Sequence, residues 1–316
     1  MTTKASAPGK VILLGEHAAV YGNPVLVAAV DKRTYVTVSK RKDDDFVLNN
    51  KSTNIKDLRF TCEDLGHMKT EWATMLTAEC IQKVYAKYGF EGGLDIEIHS
   101  DIPVSSGMGS SASASSALVL AITKEFGRDV SKKEIADLAW DIENIVHGKS
   151  SGVDPYATTF GGVLRYKKGD YKEIKLTKEP QLTIGDTGIK ANTSDPVNDV
   201  MKLKDAYPEF FTNYLEAMNH IVDYGQKALE DGNMPKLGEI MNINHGLLSS
   251  IGVSSPELEK LVWAARTNKN VHGSKLCGKG RGGIMLALGN AEKEIVKAGG
   301  KVIQTKITQE GVKIER

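Results

Sequence analysis

The segment PVSSGMGSSASASSALVLAI, Pro103 to Ile122, decides how the rest of the chain is read. It gathers Ser105, Ser106, Gly107, Gly109, Ser110, Ser111 and Ser113 into one turn. The turn lies between the strand-like LDIEIHS (Leu94 to Ser100) and an apolar helical pattern through Ala117, Leu118, Leu120 and Ala121. The first turn of a helix leaves backbone N–H groups unpaired, and the helix dipole adds partial positive charge there. Glycines let the backbone approach an anion, and serine hydroxyls bond phosphate or ligate a metal. Small residues also suit a helix packed tightly on a sheet. The segment alone leaves a phosphate site and a packing device equally open.

Working outward, the first hundred residues read as strand-rich. VILLGE, PVLVAAV and the alternating Thr34 to Val38 predict strands, with turns at Asn23-Pro24 and Lys40 to Asp45. Thr70 to Tyr88 places Trp72, Met75, Leu76, Cys80 and Val84 at helical spacing. Downstream, Ser131 and Glu134 form a capping-box pattern that opens a helix to about His147. Asp154-Pro155 opens a short helix, and strands are expected over 160–166, 172–176 and 181–185. From Asp195, an N-cap before an N1 proline, the chain turns helical over 208–230, 235–251 and 255–267. It then returns to strand, glycine loop and strand (272–288), a helix (291–298) and a strand (301–306). This predicts an α+β protein of two domains, residues 1–185 and 186–316.

Composition narrows the function classes. The 316 residues carry 41 basic and 40 acidic side chains, a net charge of +1, which gives no electrostatic footprint for nucleic acid. No apolar run of about 18 residues exists, so no membrane span is expected, and the N-terminal residues lack a secretory apolar core. Cys62, Cys80 and Cys277 are odd in number and lack CxxC spacing, which suits reduced thiols in a cytoplasmic protein.

Three local matches are decoys. Gly107 to Ala112 fits the loose dinucleotide pattern, but the strand ends too early and Pro103 intervenes. GSKLCGK (Gly273 to Lys279) mimics a Walker A loop, yet Gly280 stands where Ser or Thr must bind magnesium. Asp186-Thr187-Gly188 resembles an aspartic-protease triplet without its second copy. Four segments together carry more than any one: SAPGKVILLGEHAAVYGNP (Ser6 to Pro24), with Lys10 on a strand and Glu16-His17 after a glycine; the Gly/Ser loop; ENIVHGKSSGVDPY (Glu143 to Tyr156), with Glu143 near a helix end and Asp154 beyond it; and KLCGKGRGG (Lys275 to Gly283), a second glycine-rich turn. Taken singly, each has an ordinary reading: a solvated lysine, a packed helix start, an Asp N-cap before proline, a hairpin turn.

On these four segments the chain resembles the GHMP-family small-molecule kinases, and within that family its archaeal mevalonate kinases. IGDTGIKANT and NINHGLLSSIGV are similar to archaeal members too. GEHAAVYG is the motif expected to separate mevalonate kinases from galactokinase-like relatives. The resemblance implies the GHMP two-domain fold: a mixed N-terminal domain with the phosphate loop and a ferredoxin-like C-terminal domain. It implies transfer of the ATP γ-phosphoryl to the 5-hydroxyl of mevalonate. Pro103, Ser106, Gly107, Met108, Gly109, Ser110, Ser111 and Ala112 would hold ATP, and Ser111 with Glu143 would hold Mg²⁺. Asp154 and Lys10 would be catalytic, and Glu16, His17, Thr193 and Asp154 would meet the acceptor. A carboxyl group and an unactivated alcohol differ by about 12 pKa units, some 16 kcal/mol, so Asp154 is expected to orient the hydroxyl and take its proton late. Sister kinases acting on the 3-hydroxyl or on phosphomevalonate, and a non-catalytic binding protein of the same fold, are the competing readings. Relatives are often homodimers. Where family members have Gly-Ala-Gly-Gly-Gly-Gly in the last motif, Lys279 and Arg281 stand here; a positive φ at either would cost of order 1 kcal/mol. Two expectations follow: one cation reaches a phosphate, or both point to solvent.

Overall fold

In the computed structural model, residues 2–65, 67, 71–103, 106–148, 150–189 and 196–315 are described. Thr193 and Ser105 lie outside them. In chain order come β1 (Thr2–Leu14), β2 (Val25–Lys40), β3 (Phe46–Asn50), β4 (Ile55–Phe60), α1 (Trp72–Tyr88), β5 (Leu94–Ser100), α2 (Ser110–Glu125), α3 (Lys132–His147) and α4 (Val153–Phe160). Then follow β6 (Val163–Lys167), β7 (Asp170–Glu173), β8 (Leu182–Asp186), α5 (Pro196–Ala206), α6 (Pro208–Glu230), α7 (Met234–Ser250) and α8 (Pro256–Arg266). The last elements are β9 (Gly273–Cys277), β10 (Ile284–Leu288), α9 (Glu292–Lys297), β11 (Lys301–Ile303) and β12 (Lys313–Ile314).

Two sheets organise these elements. The eight-stranded sheet runs β12-β1-β2-β5-β3-β4, with β6 on β2 and β7 on β6; the four-stranded sheet runs β11-β8-β10-β9. The chain therefore crosses to the second sheet before Leu182 and returns to the first by Lys313. A boundary at 185/186 falls inside β8. β1 and β2 are long antiparallel partners, with a register shift between Pro8 and Gly9. Proline cannot donate to the ladder, and a bulge there re-aims the strand two residues before Lys10.

The packing reading of the Gly/Ser segment holds. α2 is buried through Ala112, Ala117, Leu118, Val119, Ala121 and Ile122, and it shares a core with Val36, Leu48, Leu76 and Ile142. Two of its serines face inward as bonded groups. Ser113 donates to the Ala7 carbonyl at 2.7 Å, and Ser116 meets the hydroxyls of Thr158 and Thr159 at 3.1 and 3.0 Å. Small residues let the helix lie close to β1, and that closeness sets its N-terminus beside Lys10. The capping box opens α3 as expected, with Glu134 N donating to Ser131 Oγ at 3.2 Å and Ser131 N to Glu134 Oε2 at 3.0 Å. β3 and β4, which follow the charged turn at 40–45, were not anticipated. Phe46 and Leu48 are fully buried there, but β3 is only three apolar residues and two asparagines, and the six residues of β4 are interrupted by Lys56, Asp57 and Arg59.

Candidate active site

The Gly/Ser loop, β1 and the first turn of α4 meet at one lysine. Lys10 Nζ lies 3.1 Å from Asp154 Oδ2 and donates to the Gly107 carbonyl at 2.8 Å, while its backbone N–H donates to the Met108 carbonyl at 2.9 Å. Burial alone would lower the proton affinity of this ammonium. Asp154, Cys277 and Glu143 outweigh it, so the Lys10 pKa is raised and the group stays cationic. The pair is asymmetric: the Lys10 side chain is 4% exposed and that of Asp154 30%. The carboxylate is the half a ligand can reach.

Two glycines make this geometry. Gly109 caps α2 in the left-handed region at φ 72°, and a Cβ there would stand 2.9 Å from Lys10 Cγ and 3.1 Å from Cε. Gly109→Ala is expected to displace Lys10 and add about 1 kcal/mol or more of backbone strain. Steady-state kinetics should show kcat down at least about tenfold, with a Tm loss of a few degrees. Gly152, at φ 82°, caps α4; a Cβ there would meet the Tyr166 hydroxyl at 2.2 Å and the Trp140 ring at 2.7 Å. Asp154 is therefore not the N-cap its position before Pro155 suggests. It sits inside the first turn, and its carboxylate turns to Lys10.

Beside them, Ser111 Oγ donates to Glu143 Oε1. Burial, and then the negative charge of Asp154, push the Glu143 carboxyl up to about 7, against the pull of the Ser111 bond, Lys10 and Lys279. Two carboxylates and a hydroxyl at the mouth of a phosphate-type helix terminus form a hard-oxygen donor set. Mg²⁺ takes one or two carboxylates and completes its shell with phosphates and water, so Ser111 and Glu143 fit it. No group of three or more His, Cys, Asp or Glu side chains converges among the described residues. Ser106 Oγ is committed to the Pro103 carbonyl at 2.7 Å and shapes the loop, and Met108 is fully buried under it.

The turn after β1 carries the other expected residues. Glu16 is buried and ion-paired with Lys275 of β9. Lys275 belongs to the Walker-like decoy and was not singled out. Its signal is a lysine in mid-strand between Ser274 and Leu276, since a charge at a core position requires a partner. His17 has φ 61°, and its Nε2 meets the Lys279 carbonyl at 3.0 Å. The first motif and the last glycine loop are thus joined directly.

In that last loop only Arg281, of the two cations, has a positive φ, 54°. Its Nη1 lies 2.5 Å from Asp199 Oδ2 on α5, and its Nε donates to the Gly252 carbonyl at 3.1 Å. For Arg281 neither expected arrangement holds: the guanidinium is tied to α5. Arg281→Gly would relieve about 1 kcal/mol of left-handed strain and lose a partly exposed ion pair of similar or smaller worth. The KM for ATP should stay within about twofold and the Tm within a few degrees. Lys279 is exposed, and its charge acts on Glu143.

The chain is similar to known proteins along its whole length. The family model described as GHMP kinases N terminal domain matches residues 75–162, and GHMP kinases C terminal matches 226–304. The mevalonate kinase of Pyrococcus horikoshii is 37% identical, over 98% of this chain and 97% of its own. The structure of the Methanococcus jannaschii mevalonate kinase superposes with a TM-score of 0.82 at 27% identity, covering 98% of both chains. That of L. major mevalonate kinase in complex with R-mevalonate gives 0.80 at 29% identity, over 98% of this chain and 96% of the other. A galactokinase galactose-binding signature also matches residues 3–40. GEHAAVYG lies inside that match, so the first motif does not by itself separate the two activities as expected; the full-length relatives do.

Proposed function

Because the chain belongs to the GHMP kinase family, we infer that it is an ATP-dependent kinase of mevalonate, acting on the 5-hydroxyl. The observation that carries this reading is the Lys10–Asp154 pair at the N-terminus of α2, with the accessible carboxylate facing outward. Phosphoryl transfer has a loose transition state, so catalysis is mostly positioning and charge stabilisation. The backbone N–H groups from Gly107 to Ala112 hold the ATP phosphates at the positive end of the α2 dipole. Asp154 accepts the hydrogen bond of the acceptor hydroxyl, aims its oxygen at the γ-phosphorus and receives the proton late. Lys10 holds Asp154 by one oxygen and favours the negative charge developing on the transferring oxygens. Mg²⁺, held by Ser111 and Glu143 and by the phosphates, would neutralise charge on the ATP oxygens. His17, whose Nε2–H goes to the Lys279 carbonyl, donates to the acceptor carboxylate from Nδ1 in its protonated form. Glu16, fully buried against Lys275, supports this turn from beneath rather than touching the acceptor, and Thr193 provides for the second hydroxyl. Of the two cations in the last loop, Lys279 is the one assigned to phosphate, since Arg281 is occupied by Asp199.

The deciding experiment incubates the protein with ATP, Mg²⁺ and mevalonate and locates the product phosphate by ³¹P-coupled NMR. Coupling to the C5 methylene protons is expected. Phosphate on the tertiary C3 oxygen, or no turnover beside intact ATP binding, would overturn the assignment.

A further inference from the structure

The Glu16–Lys275 pair asks for an explanation that stability does not supply. Both side chains are fully buried. Stripping two ions of water is costly, and an apolar pair of like volume is often as stable or more so. The pair is also asymmetric. Lys275 engages Oε1 of Glu16 and the Leu276 carbonyl at 2.7 Å, whereas Glu16 Oε2 has no hydrogen-bond partner among the described residues.

The strands on either side of the pair are gripped from one place. On α7, Asn242 Oδ1 accepts from Ser274 N at 3.0 Å, Asn244 Oδ1 from Gly15 N at 3.1 Å and His245 Nδ1 from Leu276 N at 3.2 Å. These are the residue before Glu16 and both neighbours of Lys275. His245 accepts at Nδ1, so its proton is on Nε2, which meets Glu259 Oε2 at 3.2 Å. Asn244 is oriented by its bond to Gly15, and its Nδ2, a donor, is left without a partner among the described residues. The NINH run of residues 242–245 is therefore a jig that sets the two charges against each other under His17.

We propose that Lys275 is a positioning residue for the acceptor: held by α7, it fixes Glu16 and cancels its charge beneath the Gly15–His17 turn, so that an anionic hydroxy acid binds there. This rests on the reading of the substrate given above. With an apolar pair in its place the acceptor would lose the polar group that Lys275 fixes beneath the turn, whereas the ATP phosphates are held elsewhere, by the α2 loop. Acceptor affinity should depend on the pair, and nucleotide affinity should not.

Lys275→Met alone would strand a buried carboxylate, so the first test is the double variant Glu16→Leu/Lys275→Met, an apolar pair. It is expected to keep the wild-type Tm or exceed it, to raise the KM for mevalonate about 30-fold or more, and to leave the KM for ATP within about threefold. Lys275→Arg, which keeps the charge, should restore most of the acceptor affinity. The second test is Asn244→Asp, which keeps the acceptor for Gly15 N and adds a negative charge; the mevalonate KM should rise about tenfold or more with the ATP KM unchanged. A folded variant of either kind with the wild-type KM for mevalonate overturns the proposal, as does a parallel rise in the KM for ATP. If the wild-type protein does not phosphorylate mevalonate, the substrate reading fails and this proposal falls with it.

Discussion

Asp154→Asn is expected to lower kcat by about 10³-fold while moving the KM values for mevalonate and ATP by less than about threefold. Asparagine has the same shape and still accepts the acceptor hydroxyl's hydrogen bond, so ground-state binding should survive. It lacks the charge that holds Lys10 at 3.1 Å, and it cannot take the proton as the phosphoryl group departs. Lys10, buried and still donating to Gly107, would then turn toward its remaining attractor, Glu143. The loss should thus fall on the transition state. A variant whose KM rises with kcat intact would sink the orienting role and make Asp154 a simple binding residue.

Glu143→Gln should abolish most turnover and, in the ligand-free protein, raise stability at alkaline pH. The sign follows from where the proton sits. Burial and Asp154 lift the folded-state carboxyl from 4.5 to about 7. Between those values the unfolded chain has released a proton that the folded one keeps, so folding stability falls as pH rises through that window. Above pH 7 the full cost, about 3 kcal/mol, is present. Glutamine never ionises. Denaturant titrations should find the variant more stable than wild type by about 2–3 kcal/mol at pH 8 and by under about 1 kcal/mol at pH 5. Equal stabilities at pH 8 would show that Ser111, Lys10 and Lys279 already compensate the carboxylate without a bound metal ion. The trade of stability for a charge-receptive site is the kind expected where a protein must bind a metal and phosphate.

What could be read in the residues was what local chemistry writes. The α6 span follows from Pro208 and the helical spacing to Glu230, and the α3 start from Ser131 and Glu134. The loop before α2 announced itself because glycine and serine have few other reasons to cluster ahead of an apolar helix. The roles hidden from view were pairwise ones. Nothing near Lys275 points to Glu16, and nothing near Arg281 points to Asp199, because neither contact has a period along the chain. Asp154 misled in the ordinary way: Asp before Pro is a frequent N-cap, and only the crowding of Gly152 by Tyr166 and Trp140 shows why the cap lies two residues earlier. The short strands β3 and β4 failed on length, since five residues with polar neighbours carry little alternation.

The contacts that make the site share one property, their reach along the chain. Lys10 to Gly107 spans 97 residues, Gly15 to Asn244 spans 229, Glu16 to Lys275 spans 259 and His17 to Lys279 spans 262. Closing loops of that size before any contact rewards them makes such pairings late events on a folding pathway. On the proposed assignments the phosphate loop rests on the shortest of these pairings, whereas the acceptor side rests on contacts with α7, β9 and the last glycine loop that reach more than twice as far along the chain.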